Sequence, residues 1–265
     1  MRDAATIEPP ADGLARTELL WLQPPDELVL RPTEVHVFAL RLDDSPDVDR
    51  WRCLLSRDEK MRASRFHFEV HRNRFTVGRA WLRTVLGKYL GVKPVKIAFA
   101  YGPSGKPDLA GPLETSGLKF NLAHSDDLVL LALTADAQVG VDVERIKPIS
   151  EAAELVQRFF SPREAGLFDE LPAESRSRAF LNLWTRKEAL LKATGEGIAH
   201  SLKQVEVSFL PHEPARLLSL PIGILPLSRW TLRELHPADG FAAALVVASF
   251  PIQLRCFSWP NELKL

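Results

Sequence analysis

The chain has 265 residues, 46% of them hydrophobic, with only two cysteines and a formal net charge of zero, so it can bury one large core or two of ordinary size. Cys53 and Cys256 are far apart and lack metal-ligand spacing, so neither a disulfide framework nor a zinc site is indicated and a reducing cytoplasm is the default, while no apolar run approaches the ~18 residues of a membrane span. Neutrality hides an asymmetry: residues 50–93 carry twelve Lys/Arg against Asp58, Glu59 and Glu69, a net +9, and a local basic block in a neutral chain suits an anionic ligand better than bulk nucleic acid.

The polar start, with Asp3, Glu8, Asp12 and paired prolines, predicts a flexible lead over residues 1–20. A first strand follows at Val35–Leu40, then a turn at Asp43-Asp44-Ser45-Pro46 and a helix near Pro46. Ser56-Arg57-Asp58-Glu59 has the order of a capping box and predicts a helix toward Phe66. From His71 to Leu90, apolar residues at helical spacing predict a long helix ended by Gly91. Ile97–Tyr101 reads as a strand, Gly102–Pro107 as a turn, and Phe120–Leu122 and Leu128–Thr134 as two more strands.

The second half repeats that order. A strand at 139–144 precedes helices at 150–158, 162–171 and 174–194, then strands near Val205–Leu210, Trp230–Leu235, Phe241–Ala248 and Leu254–Trp259. Within Phe160-Ser161-Pro162-Arg163-Glu164, Ser161 reads as N-cap with Pro162 at the first helical position. A loose echo links Arg79-Ala80-Trp81-Leu82 with Arg178-Ala179-Phe180-Leu181. A long helix flanked by strands in each half predicts an α+β pseudo-dimer of two similar lobes, each with a long helix packed on an antiparallel sheet. The lobes are expected at 21–136 and 137–265.

Two acidic clusters carry the chemistry. In Val139-Gly140-Val141-Asp142-Val143-Glu144 the valines alternate with Gly140, Asp142 and Glu144, so on a strand both acids share a face. In Trp184-Thr185-Arg186-Lys187-Glu188-Ala189-Leu190-Leu191-Lys192, Glu188 and Lys192 share a helix face. Either cluster alone reads as a solvated strand face or ion pair. Together, three carboxylates beside a lysine suit a divalent metal held against a phosphate chain.

Read with their neighbours, these clusters resemble the Sfp-type 4′-phosphopantetheinyl transferases over about Ser56 to Phe250. The pieces are Phe66-His67-Phe68 leading into His71-Arg72-Asn73-Arg74-Phe75, Gly105-Lys106-Pro107, Phe120-Asn121-Leu122-Ala123-His124-Ser125, Gly140 to Glu144, Phe159 to Glu164, and Trp184 to Lys192 with Gly195-Glu196-Gly197. The resemblance implies transfer of the 4′-phosphopantetheine arm of coenzyme A to a serine of an apo acyl or peptidyl carrier protein, releasing adenosine 3′,5′-bisphosphate. It implies Mg2+, coenzyme A between two lobes, and a cytoplasmic monomer that needs neither membrane nor nucleic acid.

By position, the resemblance makes Asp142, Glu144 and Glu188 the metal ligands and Glu188 and Lys192 the catalytic pair. Lys60, Arg62, Arg74, Lys106, His124 and Lys192 would hold coenzyme A. Ala123 departs from the family's serine, which removes a hydroxyl expected to bond phosphate. Carriers of fatty acid, polyketide and nonribosomal peptide systems are small, usually acidic helical domains, and Arg163, Arg176 and Arg178 are the cations expected to meet one. The competing readings are a metal-dependent phosphodiesterase or nuclease, and a non-catalytic carrier-binding relative.

Overall fold

A computed structural model describes residues 19–44, 47–103, 105–195, 202–210, 213–221 and 223–260. Most of the expected lead, and Glu196-Gly197, lie outside the described residues. The first half contains β1 (Trp21–Leu22), β2 (Glu34–Arg41), α1 (Val48–Arg52), α2 (Arg57–Ser64), α3 (Glu69–Leu90), β3 (Phe99–Tyr101), β4 (Pro107–Leu109), β5 (Leu118–Ser125) and β6 (Leu128–Ala135). The second contains β7 (Val139–Arg145), α4 (Ala152–Phe159), α5 (Pro162–Asp169), α6 (Ala173–Thr194), β8 (Glu206–Val207), β9 (Leu217–Ser219), β10 (Thr231–Leu235), β11 (Phe241–Val247) and β12 (Gln253–Ser258).

Two lobes of one design result. In the first, β2 pairs antiparallel with β6 and β6 with β5; in the second, β7 pairs antiparallel with β11 and β11 with β10. In each lobe a strand, three helices and a separate two-strand pair precede two further strands, and these two join the first strand in the same antiparallel order. Each lobe lays a 22-residue helix on its sheet, α3 or α6, and each helix ends at a left-handed glycine, Gly91 or Gly195. That backbone region is open to glycine without a Cβ clash. Counted from those glycines, Arg79 and Arg178 are not equivalent positions, so the sequence echo between them is not the structural repeat.

The layers run helix, sheet, sheet, helix. On one side Val77, Trp81, Leu82 and Leu86 of α3 pack against Phe38, Phe120 and Leu131. On the other, Leu183, Ala189 and Leu190 of α6 pack against Leu232, Ala244 and Val246. Between the sheets lies a third apolar layer in which Val35, Val37, Leu130 and Ala132 meet Val139, Val141, Val143 and Leu245. The alternation along 139–144 therefore sends its valines to the partner sheet. Burying each such side chain stabilises by about 1.5–3 kcal/mol, which fixes the register of β7 and hence the position of its acids.

One expectation needs correction. The strand expected near Leu254–Trp259 falls with the second lobe by chain order, but β12 pairs parallel with β2, and β1 pairs parallel with β12. The first sheet therefore has five strands in the order β1-β12-β2-β6-β5. The strand read over 205–210 shortens to Glu206–Val207. Ser208 explains this: its hydroxyl donates to Pro214 O and accepts from Arg216 N, which takes the segment out of a regular ladder.

The basic block is also only partly surface. Glu59, the third residue of α2, accepts from Ser56 N at 3.0 Å in the expected capping box. Arg79 and Arg83 turn inward to the same carboxylate, at 2.9 and 2.7 Å. Burial pushes the Glu59 pKa up, but the two guanidiniums and Ser56 N hold it below the usual range overall. Cys53 is exposed and Cys256 buried, and both are free thiols. Among the described residues no helix is long and apolar enough to cross a membrane.

Candidate active site between the lobes

The second lobe supplies the acids. On β7, Gly140 lets the strand press against α6: an added Cβ there would lie 2.0 Å from the Ala189 carbonyl oxygen. Two residues on, Asp142 faces the same helix and accepts from Lys192 Nζ at 2.6 Å. Glu188, one helical turn before Lys192, is 6% exposed, and Asp142 is 5% exposed. The other oxygen of Asp142, Oδ2, and Oε1 of Glu188 are buried without a hydrogen-bond partner.

That arrangement is electrostatically strained. Burial is the largest influence on Asp142, and although Lys192 opposes it, Glu144 and Glu188 add to it; the pKa is pushed up to about 7. Glu188 is also raised, by burial first and with Glu144 adding to it, while Lys192 opposes the shift. Buried carboxylates with unused lone pairs beside one another favour a proton or a cation. Hard oxygen donors of this kind suit a hard divalent ion.

Glu144 completes the expected acid set on the same strand face, but it is engaged. Ser125 at the end of β5 donates to Glu144 Oε2 at 2.7 Å and accepts from Arg145 N at 3.1 Å. Among the described residues no three acids or histidines converge closely enough to enclose an ion as they stand. Lys192 already occupies one oxygen of Asp142, and Ser125 one of Glu144.

The first lobe faces this cluster with β5. Asn121 Oδ1 accepts from Val141 N at 2.8 Å, so Asn121 and Ser125, four residues apart on one strand face, cap the amides of Val141 and Arg145, four apart on β7. Ala123 lies between them, buried in the apolar layer between the sheets. Its missing hydroxyl would therefore face β7 and the layer around it, not open solvent. His124 points to the opposite face. Desolvation and then the Lys192 charge lower its pKa, with Arg74 and Arg62 acting in the same sense and Glu144 against it. His124 therefore lies within electrostatic reach of Lys192, Glu144, Arg74 and Arg62.

The remaining cations divide. Arg74 makes a two-pronged pair with Asp43, at 2.7 and 2.6 Å. Lys106, expected to grip the nucleotide, donates across the lobes to the carbonyl of Val139 at 3.1 Å and to that of Lys192. Burial brings its pKa down to about 8. Arg62 lies over the Phe75 ring, 5.4 Å from its centroid, whereas Lys60 is exposed. At 100° per residue the two side chains leave α2 roughly 200° apart, so Lys60 and Arg62 do not reach the same point.

Sequence reasoning passed over Ser125 and Asn121, whose signal was their spacing on the face of β5 opposite His124. It also passed over Lys187, whose buried ammonium reaches Glu164 Oε2 and the carbonyls of Leu202 and Val205. Glu164 in turn accepts from Ser161 N and Val207 N. This network seats the helix that carries Glu188 and Lys192. Of the three cations expected to meet a carrier, Arg163 pairs with Glu206 at 3.6 Å, Arg176 donates to the carbonyls of Leu171 and Asp169, and Arg178 is exposed.

Comparison with known proteins agrees with this layout. Residues 45–136 match the family description "4′-phosphopantetheinyl transferase, N-terminal", and residues 138–246 match "4′-phosphopantetheinyl transferase superfamily". The chain is 44% identical to the 4′-phosphopantetheinyl transferase HetI of Nostoc sp. over 87% of its own length and 94% of that protein. It is 33% identical to the 4′-phosphopantetheinyl transferase psf-1 of Bacillus pumilus over 63% of its own length and 71% of that protein. With the 4′-phosphopantetheinyl transferase Sfp of Bacillus subtilis it shares 25% identity over 81% and 92% respectively. These matches span both halves of the chain, and the chain belongs to the 4′-phosphopantetheinyl transferase superfamily.

Proposed function

We propose that the chain moves the 4′-phosphopantetheine arm of coenzyme A onto a serine hydroxyl of an apo acyl or peptidyl carrier protein. The observation that carries this reading is the pair of buried, unpartnered carboxylate oxygens on Asp142 and Glu188 beside Lys192, at the junction of two lobes that both match the family. Asp142, Glu188 and Glu144 would hold Mg2+, which supplies charge neutralisation to a pyrophosphate.

The chain's own residues account for the rest. The carrier serine oxygen forms a bond to the β-phosphorus, and the bond from that phosphorus to the bridging oxygen breaks, leaving adenosine 3′,5′-bisphosphate. Such transfers depend on positioning and on charge placed where it develops. Lys192, released from Asp142, meets the growing charge on the leaving bisphosphate. His124 donates one ring N–H to a phosphate oxygen. Glu188, whose Oε1 has no hydrogen-bond partner, is placed to take the serine proton. Arg62 and Arg74, whose charges reach His124, offer cations to the nucleotide phosphates, Arg74 on leaving Asp43, and Lys106 ties the end of α6 to β7.

The test is to incubate the protein with an apo carrier, coenzyme A and Mg2+, and to weigh the carrier. A mass gain of one phosphopantetheine that disappears with chelator, and with Asp142→Asn or Glu188→Gln at unchanged thermal stability, is the expected result. A nuclease would hydrolyse nucleic acid and ignore coenzyme A. No mass gain across several carrier types would refute the proposal.

A further inference from the structure

Strands β5 and β6 are joined by a two-residue turn, Asp126-Asp127, because Ser125 pairs directly with Leu128. Asp126 has φ at +48°, a left-handed conformation that aspartate adopts more readily than most side chains. All three residues at this tip, Ser125 to Asp127, reach across the lobes to one residue of β7. Ser125 Oγ accepts from Arg145 N at 3.1 Å. Asp126 Oδ2 lies 3.0 Å from Arg145 Nε, and Asp127 Oδ1 accepts from Arg145 Nη2.

Two further contacts fix the grip. Phe241, the partner of Arg145 on β11, is buried, and the guanidinium carbon sits 4.3 Å from its ring centroid. The other oxygen of Asp127 accepts from Arg41 of β2 at 2.6 Å, so one carboxylate joins an arginine from each lobe. The side chain of Arg145 is 36% exposed, and a partly exposed ion pair adds little to stability. The grip therefore matters for where it holds β7. The residue next to Arg145 is Glu144, and one hydroxyl connects the two. Ser125 Oγ accepts from the Arg145 amide and has a single proton to give, which goes to Glu144 Oε2 at 2.7 Å.

We propose that Arg145 is a positioning residue: the turn of the first lobe latches it and so fixes, through Ser125, the direction of the Glu144 side chain. The inference rests on the reading of Asp142, Glu144 and Glu188 as metal ligands. Ligating carboxylates depend on the groups that orient them, and loss of such a group typically lowers metal affinity or activity by about 10–100-fold.

Calorimetric titration of the full chain with Mg2+ at saturating coenzyme A, which needs no transfer, tests it beside the steady-state rate. Arg145→Met and Ser125→Ala should each weaken Mg2+ binding tenfold or more and lower kcat in step, with the KM for coenzyme A within threefold of the parent. The Tm of Arg145→Met should stay within four degrees. The double variant should bind Mg2+ no more than threefold worse than the weaker single one, because both residues act through one chain of bonds. Should Arg145→Met not fold, Asp127→Asn attacks the same latch from the first lobe and should weaken Mg2+ binding at least threefold. Mg2+ affinity within twofold of the parent in Arg145→Met, or in Asp127→Asn in its place, overturns the proposal. So do losses that multiply in the double variant, which would make the two residues independent, or a lowered Tm with Mg2+ affinity and kcat unmoved, which would make the latch a fastening of the lobes alone. A parent that binds Mg2+ and coenzyme A but transfers nothing refutes the transferase reading, and the titrations still decide the latch. A parent that binds no Mg2+ refutes the metal reading and the latch with it.

Discussion

Replacing Gly140 by alanine puts a methyl carbon 2.0 Å from the Ala189 carbonyl oxygen, 2.4 Å from Ala193 N and 3.0 Å from the Lys192 carbonyl carbon. All three are backbone atoms, so no side chain can swing aside. Strand β7 and helix α6 must part by about 1 Å before the contacts become ordinary ones, in an interior packed too densely to absorb that locally. Overpacking of this kind costs about 1–3 kcal/mol, and more when backbone must move, so Gly140→Ala should lose about 3 kcal/mol. For a chain of this size that corresponds to a fall in Tm of roughly 6–12 °C. The same displacement pulls Asp142 from Lys192, and misplacing reacting groups by ~1 Å costs about 10²-fold in rate. Thermal unfolding followed by circular dichroism, with carrier mass gain as the rate assay, measures both. Gly166→Ala is the control: it lies within α5 and an added Cβ meets nothing within 4 Å, so it should gain about 0.5–1 kcal/mol. A Gly140→Ala protein that melts within two degrees of the parent and transfers at an undiminished rate would show that the strand–helix approach does not position the site.

The remaining predictions concern single polar groups. Lys106→Met removes the ammonium shared by Val139 and Lys192 carbonyls and should destabilise by about 1–3 kcal/mol; a variant with parental Tm and a raised KM for coenzyme A would instead make Lys106 a nucleotide ligand. His36 is 1% exposed, and burial lowers its pKa to about 4. Because the folded value lies below the ordinary 6.5, its contribution is intact above pH 6.5 and is lost as pH falls toward 4. Integrating those two values gives a loss of about 2 kcal/mol between pH 7 and pH 5. Urea unfolding of the parent and His36→Gln at both pH values checks this: the loss should shrink by that amount in the variant, and an equal loss in both would place the titration elsewhere.

The two-lobe plan was legible because its signals are local. Capping boxes at Ser56 and Ser161, glycines ending two long helices, and valines alternating with acids each follow from one short segment. The acids of the site were legible for the same reason, since strand and helix periodicity put Asp142 with Glu144 and Glu188 with Lys192. What the residues did not disclose depends on partners distant in sequence. Lys106 has the charge of a phosphate ligand, and only the approach of β7 and α6 shows two carbonyls waiting for it. Arg79 and Arg83 are indistinguishable in sequence from Arg72 and Arg74 until Glu59 is brought beneath them. Strand 253–258 has ordinary strand character, and nothing in its composition says which lobe it joins.

That last strand pairs with two strands made more than two hundred residues earlier. β12 fills the place between β1 and β2, so the first sheet lacks a strand until residues 253–258 have been made, although its other strands are made much earlier. Until then the edge of β2, with its unpaired amides and carbonyls, is open to pairing with other chains. Contacts so remote in sequence are slow to close. The lobes should accordingly mature together, the second folding first and the first completed behind it, and a chain stopped shortly before Gln253 should aggregate through β2 although every residue of the catalytic cluster is present.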